Sequence, residues 1–459
     1  MSKKKRTAGG NRPAVAVTGT GVMGYLPDET PSLGKLIVFA FQQVLVMFPA
    51  TVTVALLTGF HVSTTIFASG LATICFLFIT KGKLPLYYGS SFSYIAAVIA
   101  ITGARKFGEV APDILISQAQ FGIICSGLVS IAAGIIVNRF GMDKIEKVLP
   151  PTITGSIALV IGISLAGTAM AQVAGFSGGE LNPVSNKLWI VAIVTLLSTI
   201  GFSIYLKGVL GQLPILFGII VGYIVSIPLG LIDVTHVFEG SIIAVPHFTL
   251  PAPNLAAVIA IMPIAIATIP ESTAHVFQLD IYINDLAKKK GKGRYKIAEL
   301  LGLNLIGDGI GDMVASLFGG PAGTNYGENI STMAITKNFS VKMLGMAAIM
   351  AMLLAFVSPL SNLINTVPGA VINGACIFLF GVIAAQGIAI MINKKVDMFD
   401  ARNLSVIAVI LIIGLGGTYG FPNSMIPFFG ANLPAIATAA IVGIVLNLLL
   451  SIGRKKENQ

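Results

Sequence analysis

The sequence predicts an all-α integral membrane protein of about fourteen transmembrane spans, arranged as two inverted seven-span repeats. Three observations predict it. Long apolar stretches recur with too little charge between them, Lys and Arg cluster on alternate loops, and segments of the first half echo in order in the second.

Of the 459 residues, 55% are hydrophobic and only 10% charged. A soluble domain carries about 25% charged residues because it must face water all round. Apolar stretches of roughly 18 to 25 residues, each long enough to cross about 30 Å of hydrocarbon, can be followed along the chain. They lie near 35–58, 61–80, 84–102, 113–137, 150–172, 187–206 and 210–232 in the first half. In the second they lie near 254–279, 297–318, 321–337, 341–362, 368–392, 402–418 and 428–452. No cleavable leader is expected, because Lys3, Lys4, Lys5 and Arg6 precede polar sequence rather than an apolar segment. Cys75, Cys125 and Cys376 all fall inside spans, where free thiols pack as small hydrophobes.

The net charge of +10 invites a nucleic-acid partner, and its distribution excludes one. With the N-terminus in the cytoplasm, 26 of the 29 Lys and Arg residues fall on the inner side, leaving Arg105, Lys106 and Lys187 outside. That is the positive-inside pattern, and a miscounted span would spoil it. Both termini are therefore expected in the cytoplasm, with the chain in the cell (inner) membrane. The run Lys288 to Arg294 reads as an inner loop that also contacts anionic lipid.

Three pairs of segments repeat across the halves. Phe48-Pro49-Ala50-Thr51 resembles Ile269-Pro270-Glu271-Ser272, Tyr88-Gly89-Ser90-Ser91-Phe92-Ser93 resembles Tyr326-Gly327-Glu328-Asn329-Ile330-Ser331, and Gly155 to Gly162 matches Gly374 to Gly381. Spans one, three and five thus pair with eight, ten and twelve. A repeat of odd span number must insert in opposite senses, which is the inverted-repeat plan of secondary transporters, with the substrate held near the midplane. Spans three and ten begin with Pro, Gly, Asn, Thr and Tyr, which favour short extended strands over helix. The half-helices that follow are expected to point free N–H groups at a cavity.

An ionisable group inside a span costs about 2.5–3.5 kcal/mol, so each asks for a reason. Glu271 follows Pro270, whose missing N–H predicts a kink, and His275 lies four residues on, on the same helical face. Glu328 stands where the strand-like lead-in of span ten becomes helix; a ligand contact is the favoured reading there and capping of that helix the lesser one. For Asp308 and Asp312, one turn apart in span nine, hydrogen bonds that lock helices are the favoured reading. His61, His236 and His247 read as surface groups. Two carboxylates, a histidine, aromatic rings and free N–H groups suit a planar heterocycle with alternating N–H donors and C=O acceptors better than a metal ion or an inorganic anion.

At these residues the sequence resembles the nucleobase–ascorbate (nucleobase/cation symporter) family, in its uracil-permease branch. The family signature reads here Glu328-Asn329-Ile330-Ser331-Thr332-Met333-Ala334-Ile335-Thr336-Lys337. Gly319-Gly320-Pro321 and Thr324-Asn325-Tyr326-Gly327 precede it, and Gly89-Ser90-Ser91-Phe92 matches the span-three motif. The resemblance runs from the first span to the last. It implies that Glu271 and Glu328 hold the base and that Phe92 and Tyr326 bracket it. Gly327 and Ser331 then add backbone or hydroxyl contacts, and Glu271 with His275 couples transport to protons. It also implies a core domain of 35–137 and 254–362, a gate domain of 150–232 and 368–452 through which the chain dimerises, and cytoplasmic tails at 1–34 and 453–459. Ser331 replaces the signature Gly, Ser272-Thr273-Ala274 separate Glu271 from His275 in a variant order, and Gln43 stands where relatives place His.

The function so read is import of uracil by proton symport through alternating access, with no further cofactor. A xanthine or uric acid permease is the alternative, and an inorganic-anion carrier of the same architecture a lesser one. Glu328 in place of the purine-type Gln argues against the first, and two inward glutamates against the second. A membrane enzyme would need a nucleophile, metal cluster or nucleotide loop, and the sequence offers none.

Overall fold

The computed structural model describes residues 24–104, 108–141, 148–173, 176–177, 180–181, 185–208, 210–235, 237–428 and 431–452. Arg105, Lys106, His236, residues 1–23 and the tail 453–459 lie outside the described residues.

The chain is mostly helical. Its first half runs α1 (Leu33–Thr58), α2 (Val62–Ile79), strand β1 (Tyr88–Ser90), α3 (Ile95–Thr102), α4 (Asp113–Phe140) and α5 (Pro151–Val173). The short strands β2 (Phe176–Ser177) and β3 (Glu180–Leu181) precede α6 (Ser185–Tyr205) and α7 (Pro214–Ser226). The second half runs α8 (Leu255–Ile261), α9 (Ile264–Lys289), α10 (Leu301–Leu317), β4 (Gly323–Asn325) and α11 (Gly327–Thr336). It continues with α12 (Val341–Leu354), α13 (Ser358–Asn365), α14 (Gly369–Asn393) and α15 (Ala401–Gly420). A hairpin, β5 (Met425–Phe428) and β6 (Ala431–Pro434), leads into α16 (Ala435–Leu449). Among the described residues, nine helical segments are long and apolar enough to span a membrane. Large apolar side chains such as Phe78, Leu197, Ile204 and Ile412 are exposed along them, as a lipid-facing surface requires.

Helices approach closely where small residues line the seams. On the α4–α10 seam, a Cβ on Gly127 would fall 2.5 Å from the Gly309 carbonyl, and one on Gly134 would fall 2.5 Å from that of Gly302. On the α5–α14 seam, a Cβ on Gly387 would meet the Gly155 carbonyl at 2.5 Å. Apolar burial drives little association within lipid, so such close packing supplies the attraction instead.

Several elements differ from the sequence expectation. Span eight extends to Lys289, and its break falls at Met262–Pro263, while the helix runs unbroken through Pro270. Span eleven is divided into α12 and α13 at Ala355–Val357. Residues 241–254 form an extended connector: the Ala244 N–H donates to the Phe356 carbonyl (3.0 Å) and the Ala252 N–H to the Ser117 carbonyl (2.9 Å). At one end of the molecule Glu29 accepts from Lys290 (2.5 Å), Lys292 (2.8 Å) and the Leu26 N–H (2.9 Å), clasping the segment before α1 to the turn after α9. Burial alone would raise the Glu29 pKa, but these hydrogen bonds and the Lys290 charge outweigh it, so the net shift is downward.

Candidate functional site

The centre of the molecule is a two-stranded ladder made from distant parts of the chain. β1 and β4 pair antiparallel, with Tyr88 opposite Asn325, Gly89 opposite Thr324 and Ser90 opposite Gly323. Glycine is required by close approach: a Cβ on Gly89 would sit 2.4 Å from the Tyr326 ring, and one on Gly323 would sit 2.2 Å from the Tyr88 ring. Each strand hands over to a helix. After β1, Ser91 accepts from the Ser93 N–H (3.3 Å), a short 3₁₀ turn covers Phe92–Tyr94, and α3 follows. After β4, α11 begins at Gly327 with Tyr326 at its N-cap, and the Tyr326 side chain does not cap it. Its first N–H groups are left without helical partners, and the positive end of its dipole faces the same seam.

α9 supplies Glu271 and His275, and α11 supplies Gly327, Glu328 and Ser331. The two helices meet there, because a Cβ on Gly327 would lie 3.0 Å from His275 Nε2. Glu271 accepts from the Ser93 hydroxyl (3.3 Å) and stands within electrostatic reach of Glu328. Glu271, His275, Gly327, Glu328, Ser331 and Phe92 are all partly exposed, whereas Asn329, Ile330, Thr332 and Met333 turn inward and are buried. His275 Nδ1 is buried without a hydrogen-bond partner among the described residues. Phe92 meets Phe380 of α14 edge to face, with centroids 6.2 Å apart.

Tyr326 takes a different place from Phe92. It is buried, its ring lies over Gly89, and its hydroxyl joins Thr51 (3.0 Å) while donating to the Ser90 carbonyl (3.0 Å). Its ring is a wall of the ladder.

Asp308 and Asp312 fasten the ladder from behind. Asp308 accepts from Ser272 (2.6 Å), Asn304 (3.1 Å) and Asn325 (2.8 Å). Asp312 accepts from the Tyr88 hydroxyl (2.7 Å) and the Gly323 N–H (2.7 Å). Asp308 thus joins α10 to α9 and β4, the helix-locking arrangement expected of the pair, whereas Asp312 joins α10 to the two strands. Sequence reasoning passed over Ser93, Asn304, Asn325 and the pair in which Asn329 donates to Gln43 Oε1 (2.7 Å). Their signal was available: a buried amide in an apolar span needs a partner, as a carboxylate does.

Comparison with known proteins gives a consistent result. The family model Xan_ur_permease, described as "Permease family", matches residues 34–423. The uracil permease of Bacillus caldolyticus is 35% identical over 430 residues, covering 92% of this chain and 94% of that protein. That of Escherichia coli (strain K12) is 35% identical over 434 residues, covering 94% of this chain and 95% of that protein. Among solved structures, the transmembrane domain of the cyanobacterial bicarbonate transporter BicA aligns with a TM-score of 0.56 at 15% identity, covering 91% of this chain and 97% of that one. The murine anion transporter Slc26a9 in its inward-facing state aligns with a TM-score of 0.65 at 12% identity, covering 98% and 73%. At such identities these two likenesses speak for the fold alone. Taken with the apolar helices and the paired half-helices, the matches make this chain a multi-pass membrane transport protein, not an enzyme, and a member of the permease family.

Proposed function

We propose that the chain imports uracil across the cell (inner) membrane by proton symport through alternating access. The observation that carries this is the placing of Glu271 on α9 within electrostatic reach of Glu328 at the start of α11, beside the partly exposed ring of Phe92. Carboxylates accept N–H bonds, the α11 N–H groups donate to a carbonyl, and an aromatic face covers a planar ring. Uracil offers that set of groups, and the relatives named as uracil permeases lend weight to the choice. Gly327 and Ser331 complete the contacts, Tyr326 backs the site, and His275, beside Gly327, exchanges the proton with Glu271.

The architecture behind this reading is fourteen spans in two inverted repeats. Among the described residues, nine long segments, four shorter apolar helices and α11 support that reading. The packing also exchanges between halves: α4 rests on α10 as α12 rests on α2, and α6 on α14 as α15 on α5. In this reading α1–α4 with α8–α13 form the core, and α5–α7 with α14–α16 form the gate and the dimer face, with both termini in the cytoplasm. The Phe92–Phe380 contact then lies between core and gate.

Uptake of radiolabelled uracil into cells or vesicles holding the chain tests the substrate, with unlabelled bases as competitors. Uracil should compete and xanthine should not; equal competition by xanthine overturns the assignment. Uptake in Na⁺-free medium should persist and should stop with a protonophore, and the reverse pattern would assign the coupling to Na⁺.

A further inference from the structure

We propose that His61, Asp113 and His247 form a binding site for one divalent transition-metal ion of zinc's class. The three residues come from separate elements: the α1–α2 turn, the start of α4, and the extended connector before α8. Their ligand atoms all lie within 4.8 Å of one another. His247 Nε2 is 2.9 Å from Asp113 Oδ2, and His61 Nε2 is 3.6 Å from Asp113 Oδ1. The two imidazole rings lie side by side, with centroids 4.4 Å apart.

Ligands of a tetrahedral ion with bonds of about 2.0–2.1 Å sit about 3.3 Å apart, and the two measured separations bracket that value. Small side-chain rotations therefore suffice to close the site. Two imidazoles and a carboxylate with an open fourth position form a donor set suited to zinc, nickel or copper, and poor for calcium or magnesium, which want oxygen. A second observation points the same way: His61 Nε2 is buried and has no hydrogen-bond partner among the described residues. An ion between the rings would satisfy it. The backbones behind the ligands are already fixed, since the His247 carbonyl accepts from Thr64 (2.6 Å) and the His61 carbonyl from Thr65 (2.9 Å). A cleft lined by Leu56, Phe60, Glu109, Ser361 and Asn362 opens beside His61 and gives a hydrated ion access.

The site would act as a staple. The connector joins α7 to α8, and its residues 247–252 are held on α2 and α4 by the Thr64 bond and by reciprocal bonds between Gln120 and Thr249. An ion shared by His61, Asp113 and His247 adds a fastening there that is independent of the Glu271–Glu328 site.

The test uses the purified full chain in detergent after treatment with a chelator. Zinc chloride should bind one ion per chain and raise the thermal midpoint in a saturable way, because it binds the folded chain only. Cobalt chloride should give the visible absorption of a four-coordinate ion, a reading that needs no variant. H61A, D113N and H247A, each checked first for an unchanged midpoint without metal, should weaken zinc binding by more than about 10-fold. Absence of the cobalt spectrum, or zinc binding that survives H61A and H247A, overturns the proposal; loss of binding in H275A instead would place the ion elsewhere.

Discussion

At the scale of single residues, the candidate acids were legible because a carboxylate in a membrane span is expensive and so stands out. Glu271, Glu328, Asp308 and Asp312 all announced themselves by cost, and the structure divides them: two partly exposed on a seam, two buried and fully engaged with Ser, Asn, Tyr and backbone donors. What the sequence hid was the partner of each, since Ser93 and Asn325 lie 178 and 17 positions from the acids they bond. Glu328→Gln or Glu271→Gln keeps the side chain's size but turns an acceptor into a donor, leaving a substrate N–H unpaired. Such a loss costs about 1–3 kcal/mol, so uracil affinity should fall roughly 5- to 150-fold, measured by binding or by half-saturation of uptake. Affinity within twofold of wild type for Glu328→Gln would make that residue a helix cap. Asp308→Asn should act differently, lowering stability by about 1–3 kcal/mol, because a carboxamide cannot accept from all three of its donors. Thermal unfolding with and without uracil separates the two classes.

At the scale of elements, the strand–helix lead-ins were readable because Pro, Gly and Asn disfavour helix, and at membrane depth only a protected ladder can replace it. Register was not readable, as it depends on segments at 88–90 and 323–325 meeting across about half of the chain. The break in span eight was misplaced for a physical reason. Pro270 removes one hydrogen bond without ending its helix, whereas Pro263 sits at an N-terminal position where proline is tolerated and a new helix starts. The β5–β6 hairpin was missed because the residues of β6 read as the start of the last span, while β5 fell in the loop before it. Tyr88→Phe should cost about 1–3 kcal/mol by removing the donor to Asp312. Gly323→Ala should be worse, since its Cβ would need the Tyr88 ring and the Gly89 carbonyl to move; a variant that expresses and melts like wild type would contradict the ladder's packing.

At the scale of the whole molecule, composition and loop charge were enough to identify a many-span membrane protein, because lipid constrains every backbone group. They were silent on which loops fold back, such as the connector over α2 and α4 and the clasp of Glu29 on Lys290 and Lys292. That clasp has a definite pH signature. A group whose pKa is lowered on folding contributes stability above its unfolded value and loses it as pH falls through the folded one. Glu29 starts from an ordinary value of 4.5. The gap in thermal midpoint between wild type and Glu29→Gln should therefore be constant near neutrality and close in acid below that value. A gap unchanged in acid would assign the effect to packing rather than to charge.

The β1–β4 ladder also sets an order on synthesis. Thr73 and Ser69 of α2 meet the Tyr88 N–H and carbonyl, but Gly89 pairs with Thr324 and the Tyr87 carbonyl accepts from the Tyr326 N–H, so those groups must wait until more than half of the chain has been made. On the fourteen-span reading, a nascent chain stopped before Gly323 carries an open strand edge inside the bilayer, where water cannot satisfy it. Truncations ending between α9 and β4 should be degraded or held by the insertion machinery, while those ending after α12 should accumulate. Pulse-chase half-lives of such a series would show the step at β4.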